Sequence, residues 1–151
     1  MVADEATQIL RAHGVRVARL PADFEGHYDV GTAAFLHFDG ASPPCASGAS
    51  IGYHRRHDAA GAAAWRALYG QYFPFPFLPN NFTSGLRDYY AFRQVTATDS
   101  SLVLELGEIT CPAQHQWLAR RLHWVAQLLA YFLSVRVGKG NVGAPGPPPS
   151  S

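Results

Sequence analysis

Two apolar runs restrict the folds open to this chain more than any other feature of its sequence. Residues 33–38 read Ala-Ala-Phe-Leu-His-Phe, and residues 102–106 read Leu-Val-Leu-Glu-Leu. Short, nearly continuous apolar runs are typical of strands that are buried on both faces of a parallel sheet. The first run ends in a turn at Asp39-Gly40. The two runs therefore predict two buried strands.

Helical and alternating patterns surround these strands. Apolar residues recur at helical spacing in residues 4–13, 59–72 and 112–135. Gly14 is placed to end the first helix, and Pro112 lies in the first turn of the last one. Shorter apolar or alternating segments predict further strands at residues 15–20 and 49–53.

Strands that alternate with helices predict an α/β fold in a single domain, with a twisted, mostly parallel sheet and helices on both faces. A length of 151 residues is enough for one such domain. We expect the domain to span residues 1–137 and residues 138–151, rich in Gly, Pro and Ser, to form a flexible tail. The chain opens directly in a helix, so the first strand of the usual unit is predicted to be missing.

Composition excludes several classes of partner. A net charge of +1 gives no electrostatic signal for nucleic acid or an anionic lipid surface. No apolar run approaches the roughly 20 residues of a membrane helix. The first residues, Met-Val-Ala-Asp-Glu-Ala, carry acids where a signal peptide has cations. The sequence thus predicts no nucleic-acid or membrane partner, no signal peptide, and a chain that is cytoplasmic as synthesised.

The two cysteines are too few for a disulfide framework. Cys45 and Cys111 both follow predicted strands, so they could be neighbours at one end of the sheet. Of the two interpretations, free thiols are preferred here to a disulfide bond.

One polar residue interrupts each apolar run, and the two interruptions are the main candidate site. His37 and Glu105 lie near the carboxyl ends of their strands, where ligands bind in open parallel sheets. Each residue alone is explained by a satisfied core histidine or a structural ion pair. Together, at matching strand ends, they favour a functional site. A neutral imidazole and a carboxylate can bind zinc and act as general base on a zinc-bound water.

Two other features have alternative interpretations. Residues 48–52, Gly-Ala-Ser-Ile-Gly, match the nucleophile elbow of α/β-hydrolases, with Asp88 or Asp99 and then His115 or His123 in the required order. Chance matches are frequent in such a Gly-rich chain, and this interpretation is the weaker one. Residues 73–81, Phe-Pro-Phe-Pro-Phe-Leu-Pro-Asn-Asn, form either a lip that contacts sugar or peptide or, more simply, a loop folded over the core.

Three segments, taken in order, carry a family resemblance. They are Ala33-Ala-Phe-Leu-His-Phe-Asp-Gly, Ser47-Gly-Ala-Ser-Ile-Gly-Tyr and Leu102-Val-Leu-Glu-Leu-Gly-Glu-Ile. This order and spacing resembles the zinc-dependent N-acetylmuramoyl-L-alanine amidases of the type 3 fold. The resemblance covers residues 4–136. It implies that His37 is a zinc ligand and that Glu105 is the catalytic glutamate.

The resemblance also implies a reaction and a partner. A zinc-bound water, assisted by Glu105, would hydrolyse the amide between N-acetylmuramic acid and L-alanine in peptidoglycan. The chain would then be a cell-wall hydrolase of a bacterium or a phage, and a phage lysin fits a chain without a signal peptide.

The chain departs from the family's pattern at the metal site. The family's two other ligands precede the first helix, and Glu5 is too far into that helix to be one of them. Local histidines, His54 and His57 or His27, are weaker substitutes. The alternative is therefore a metal-free relative that binds peptidoglycan or another protein. A homodimer contact through Trp124 and Tyr131 of the last helix is a further prediction.

Overall fold

The computed structural model describes residues 1–150, which divide into two compact units. Residues 27–119 form the sheet unit, and residues 1–26 form a second unit with the described residues from 120 onward. The elements of the sheet unit are β1 (Tyr28–Asp39), β2 (Ser50–Gly52), α2 (Ala59–Gly70), α3 (Ser84–Arg87), β3 (Val95–Glu108) and α4 (Pro112–Ala119). The helices of the second unit are α1 (Val2–Ala12) and α5 (Leu122–Val137). The α/β fold class is confirmed.

The sheet has the strand order β1-β3-β2, so β3 is the central strand. β1 pairs with β3 in parallel, and β2 pairs with β3 antiparallel. Residues 102–104 of β3 are buried, as predicted. The same prediction is wrong for residues 33–38, because β1 lies at an edge of the sheet and every one of its residues keeps some exposure.

The two faces of β3 are covered by different elements. Helix α2 packs against one face, where a Cβ atom at Gly61 would lie 3.5 Å from Leu102 Cδ1. Side chains alternate along a strand, so Val103 and Glu105 lie on the opposite face. There Val103 packs with Leu86 and Phe92 from the segment between α2 and β3. This second face holds the candidate site.

The predicted helix over residues 112–135 is interrupted. Arg121, with φ −128° and ψ 15°, separates α4 from α5. Its side chain is buried and its guanidinium donates hydrogen bonds to the carbonyl oxygens of Pro149 and Ser150. The apolar spacing continues across the break, which is why periodicity alone predicts one helix.

The predicted strand over residues 15–20 is not formed. The segment has no regular secondary structure, and the side chain of Arg11 donates a hydrogen bond to the carbonyl oxygen of Val17 at 2.8 Å. Alternation indicates an extended segment with one side buried, but a strand also needs a neighbour with which its backbone can pair. The extended backbone here has no such partner strand within residues 1–150.

The second unit is built on the pair of helices α1 and α5, which pack against each other. Beyond α5, residues 138–150 have no regular secondary structure, and the Gly146 carbonyl accepts a hydrogen bond from the Trp124 indole at 2.8 Å. The predicted domain limits, at residues 1–137 and 138–151, stay a prediction, as does the missing first strand. No helix in the described part of the chain has the length and hydropathy needed to cross a bilayer.

Candidate functional site

The two predicted site residues are neighbours in the sheet. His37 of β1 is the register partner of Glu105 of β3. Glu105 is also the partner of Ser50 on β2. Partners in adjacent strands project to the same face, with Cβ atoms about 5 Å apart. The three side chains therefore form a row across the sheet, and the sequence had predicted the proximity of the first two.

A cavity of about 220 Å³ lies over His37 and Glu105. Its floor comes from the sheet, and its wall comes from residues 83–89. The residues that line it are His37, Thr83, Gly85, Leu86, Tyr89, Val103 and Glu105. The cavity thus combines an imidazole, a carboxyl and two hydroxyl groups with the apolar surface of a leucine and a valine.

The wall of the cavity lies unusually close to the sheet at Gly52. A Cβ atom at this position would lie 2.4 Å from the carbonyl oxygen of Leu86. Only a residue without a side chain allows the backbone of α3 to approach β2 in this way. Gly52 is therefore what sets the distance between the cavity's wall and its floor.

Glu105 is held in conditions that disfavour its charge. Burial, together with the nearby charge of Asp39, raises the pKa of Glu105 to about 7. Its Oε2 atom is buried and has no hydrogen-bond partner. Near neutral pH both protonation states are populated, so this carboxyl can accept or donate a proton.

His37 is held by a tyrosine that the sequence analysis did not single out. The His37 Nε2 atom lies 3.0 Å from the hydroxyl of Tyr89, within hydrogen-bonding distance. Burial lowers the pKa of His37. The imidazole is consequently neutral near pH 7 and has two chemically distinct nitrogens.

Glu105→Gln should change how stability depends on pH. Because the folded-state pKa is raised, the contribution of Glu105 to stability is fully present below 4.5 and is lost as the pH rises through about 7. Glutamine mimics the protonated carboxyl. Relative to the wild type, the variant should therefore gain about 2 kcal/mol between about pH 4 and pH 8, after allowance for solvent screening.

Urea unfolding at the two pH values measures this difference. Glu25→Gln, at an exposed position, controls for the loss of one negative charge. An equal effect of Glu105→Gln at both pH values would contradict the burial argument.

The two cysteines form a disulfide bond, so the prediction of free thiols is wrong. The Cα atoms of Cys45 and Cys111 are 4.6 Å apart. Each cysteine follows a strand, and β1 and β3 are adjacent and parallel, so the loops after them meet. The bond joins these loops at the end of the sheet where His37 and Glu105 lie.

Glu108, which was not singled out, holds the same loop. Its buried carboxylate accepts hydrogen bonds from the backbone N–H groups of Cys45 and Ser47, both at 2.7 Å, and from the Thr110 hydroxyl at 2.6 Å. Burial opposes its ionisation, but these hydrogen bonds outweigh burial and lower the pKa of Glu108. Ser47 in turn donates a hydrogen bond to Asp39, the residue whose charge acts on Glu105.

The other histidines and Glu5 do not join the site. Their partners lie elsewhere: His13 with Ile9, His27 with Asp29 and Thr96, His54 with Asp88, His57 with Asp58 and Ala97, and His123 with Glu5. His115 is exposed on α4. Within residues 1–150, no three side chains of His, Cys, Asp or Glu gather closely enough to hold a metal ion.

The nucleophile-elbow interpretation is wrong. Such an elbow exposes its serine at a sharp turn from a strand into a helix. Ser50 instead lies within β2, its side chain is fully buried, and the strand continues to Gly52. This hydroxyl is therefore closed to a substrate.

The proline-interrupted aromatic segment is a loop over the core rather than a lip of the site. Phe73 stacks on the buried Tyr69 of α2 at 5.3 Å and meets the edge of Trp117 of α4 at 5.5 Å. Helix α2 covers the face of the sheet opposite to Glu105. The segment therefore takes no part in lining the cavity.

Trp124, one of the two residues predicted at a dimer contact, is buried. Tyr131 keeps partial exposure. The homodimer stays a prediction.

Tyr89 and Gly52 are the site residues that sequence reasoning missed. Tyr89 belongs to residues 82–93, a segment without apolar periodicity and with only short helical turns. The only available signal was the density of aromatic residues at Tyr89, Tyr90 and Phe92 just before β3. Nothing in the sequence indicated that Gly52 sets the distance between the wall and the floor of the cavity, since a glycine in a strand pattern has several explanations.

Comparison with known proteins identifies the fold. No family model and no curated protein matches the sequence. Among solved structures, the chain is similar to the N-acetylmuramoyl-L-alanine amidase AmiC2 of Nostoc punctiforme, with a TM-score of 0.64 and 17% identity over 91% of this chain and 81% of that one. It is also similar to the catalytic domain of CwlV, an N-acetylmuramoyl-L-alanine amidase from Bacillus (Paenibacillus) polymyxa var. colistinus, with a TM-score of 0.62 and 15% identity over 91% and 82% of the two chains.

A third similar structure is Cwp6 from Clostridium difficile, with a TM-score of 0.59 and 14% identity over 93% of this chain and 24% of that one. At these identities the likeness is one of fold. The chain therefore has the α/β fold of N-acetylmuramoyl-L-alanine amidases.

Proposed function

We propose that the chain binds peptidoglycan in the cavity beside His37 and Glu105, and that it recognises the amide between N-acetylmuramic acid and L-alanine. The observation that carries the proposal is the pairing of these two side chains across β1 and β3, at the floor of a cavity, in the fold of amidases. By this proposal the partner is peptidoglycan and the place of action is the bacterial cell wall.

The chemistry of the cavity suits an amide. An amide offers one hydrogen-bond acceptor and one donor, and Glu105, with its pKa near 7, can supply the matching donor or acceptor. The apolar surfaces of Leu86 and Val103 suit methyl groups of a lactyl ether or an alanine. The hydroxyls of Thr83 and Tyr89 offer hydrogen bonds to sugar oxygens.

The zinc ion that the family resemblance implies does not fit the residues present. A catalytic zinc takes three protein ligands and keeps one position open. No three suitable side chains meet in the described part of the chain, and the Nε2 atom of His37 is already bonded to Tyr89. Zinc binding is therefore left out of the proposal, and no step proposed here passes through a metal. The binding of peptidoglycan without hydrolysis is the function that this geometry supports best.

Hydrolysis of the same amide is the second candidate, and the raised pKa of Glu105 favours it. The Glu105 carboxylate would take a proton from a water molecule as the oxygen of that water bonds to the amide carbon. The same proton would pass to the alanine nitrogen as the carbon–nitrogen bond breaks. The chain would then be an amidase and a cell-wall hydrolase, as in a lysin.

Co-sedimentation with purified insoluble peptidoglycan tests the primary proposal. The wild-type chain should sediment with the polymer, and chelator should leave its affinity unchanged. Glu105→Ala and His37→Ala should each weaken binding about tenfold, because each removes a polar group of the cavity floor. Glu25→Ala, at an exposed position, should bind like the wild type.

Three results decide between the alternatives. Failure to sediment, or full binding by both site variants, would refute the cavity as the binding site. Release of new alanine amino groups from peptidoglycan, lost in Glu105→Ala, would establish the second candidate. About one zinc per chain after dialysis against zinc, lost in His37→Ala, would restore the metal-dependent mechanism.

A further inference from the structure

Tyr89 meets His37 at a defined atom. Its hydroxyl oxygen lies 3.0 Å from the Nε2 atom of the imidazole, and the two rings meet edge to face with centroids 5.1 Å apart. Both residues line the cavity. Tyr89 is thus part of the cavity wall, and its hydroxyl is also hydrogen-bonded to His37 in the cavity floor.

Aromatic neighbours hold Tyr89 in place. Its ring lies 5.4 Å from that of Phe35 on β1 and 5.9 Å from that of Phe92, which follows in the same segment. The adjacent Tyr90 ring lies at 4.9 Å. A ring packed on three sides has little freedom, so its hydroxyl is fixed over one nitrogen of His37.

The bond to Tyr89 occupies Nε2 in either tautomer of His37. If the Tyr89 hydroxyl donates, it uses the lone pair of Nε2. If Nε2 carries the proton, that N–H donates to the Tyr89 oxygen, and the nitrogen has no lone pair to offer. In both cases Nδ1 is the ring nitrogen that remains for a new partner.

We propose that Tyr89 is a positioning residue of the cavity, which holds Nε2 of His37 so that a ligand meets the imidazole through Nδ1. The identity of the ligand, an amide-linked muramoyl peptide, rests on the proposed function. The role of the Tyr89–His37 hydrogen bond is independent of the proposed function. The direction of this bond is coupled to the tautomer: when the hydroxyl donates to Nε2, Nδ1 carries the proton and presents a donor to that amide, and when it accepts, Nδ1 presents an acceptor.

Histidine ¹⁵N NMR on the free chain tests the bond without any ligand. Tyr89→Phe removes the hydroxyl and keeps the ring, and it should shift the Nε2 resonance of His37 and change the balance of its tautomers. Tyr131→Phe is the same chemical change on α5 of the other unit, and it should leave both His37 nitrogens unchanged. An unchanged His37 spectrum in Tyr89→Phe would overturn the proposal.

Titration with N-acetylmuramoyl-L-alanyl-D-isoglutamine tests the consequence. In the wild type the ligand should shift Nδ1 of His37 and leave Nε2 in place, and Tyr89→Phe should bind about fivefold more weakly. A shift confined to Nε2, or equal affinity in wild type and Tyr89→Phe, would overturn the positioning role. If the wild type fails to bind this probe, the proposed function fails, and the free-chain spectra still decide whether Tyr89 controls His37.

Discussion

Reduction of the Cys45–Cys111 disulfide should lower the free energy of unfolding by about 4 kcal/mol. The bond closes a loop between residues 66 positions apart, so breaking it restores a large conformational freedom to the unfolded chain. In the folded chain it ties the loop after β1 to the loop after β3. It therefore stabilises the end of the sheet that carries the candidate site.

Urea unfolding with and without a thiol reductant measures this loss. The double variant Cys45→Ser with Cys111→Ser should show the same loss under oxidising conditions, and the reductant should then have no further effect. The hydrogen bonds from Cys45 and Ser47 to Glu108 do not depend on the disulfide, so the variant should keep its native circular dichroism. A midpoint that does not move on reduction would show that the bond does not constrain the unfolded chain.

Gly52→Ala should have the second-largest effect, a loss of about 3 kcal/mol together with weaker ligand binding. The new Cβ would lie 2.4 Å from the carbonyl oxygen of Leu86 and 2.9 Å from its carbonyl carbon. Backbone atoms cannot turn aside as a flexible side chain can. The α3 segment must therefore move away from β2, and this movement displaces the wall of the cavity.

Gly85→Ala is the matched control. Gly85 belongs to the same wall, but a Cβ there would meet only the Thr83 hydroxyl, at 3.9 Å. Thermal unfolding should place this variant near the wild type and Gly52→Ala far below it. Equal stability of the two variants would contradict the close approach of Leu86 to the sheet.

The pairing of His37 with Glu105 could be predicted from the sequence because it depends on strand pattern alone. A single polar residue near the end of each of two apolar runs places both residues at the same end of a parallel pair. His37 and Glu105 are indeed register partners. The edge position of β1 could not be predicted from the sequence, because the same apolar run fits a central strand or an edge strand.

The features that sequence reasoning got wrong depend on contacts between distant segments. The Cys45–Cys111 bond needs two loops to meet, and the sequence showed only that each cysteine follows a strand. The break at Arg121 leaves the apolar spacing intact, since it changes the backbone and not the pattern. Tyr89, about which the sequence made no prediction, is hydrogen-bonded to His37, which lies 52 positions away in the chain.

The central claim is that the cavity over His37 and Glu105 binds an amide-linked muramoyl peptide. The most direct test is chemical-shift mapping of the isotopically labelled chain with N-acetylmuramoyl-L-alanyl-D-isoglutamine. We predict that the largest shifts fall on the methyl groups of Leu86 and Val103 and on the ring of His37, and that Glu105→Ala needs about tenfold more ligand to produce them. Shifts clustered on another surface, or no shifts at saturating ligand, would contradict the claim.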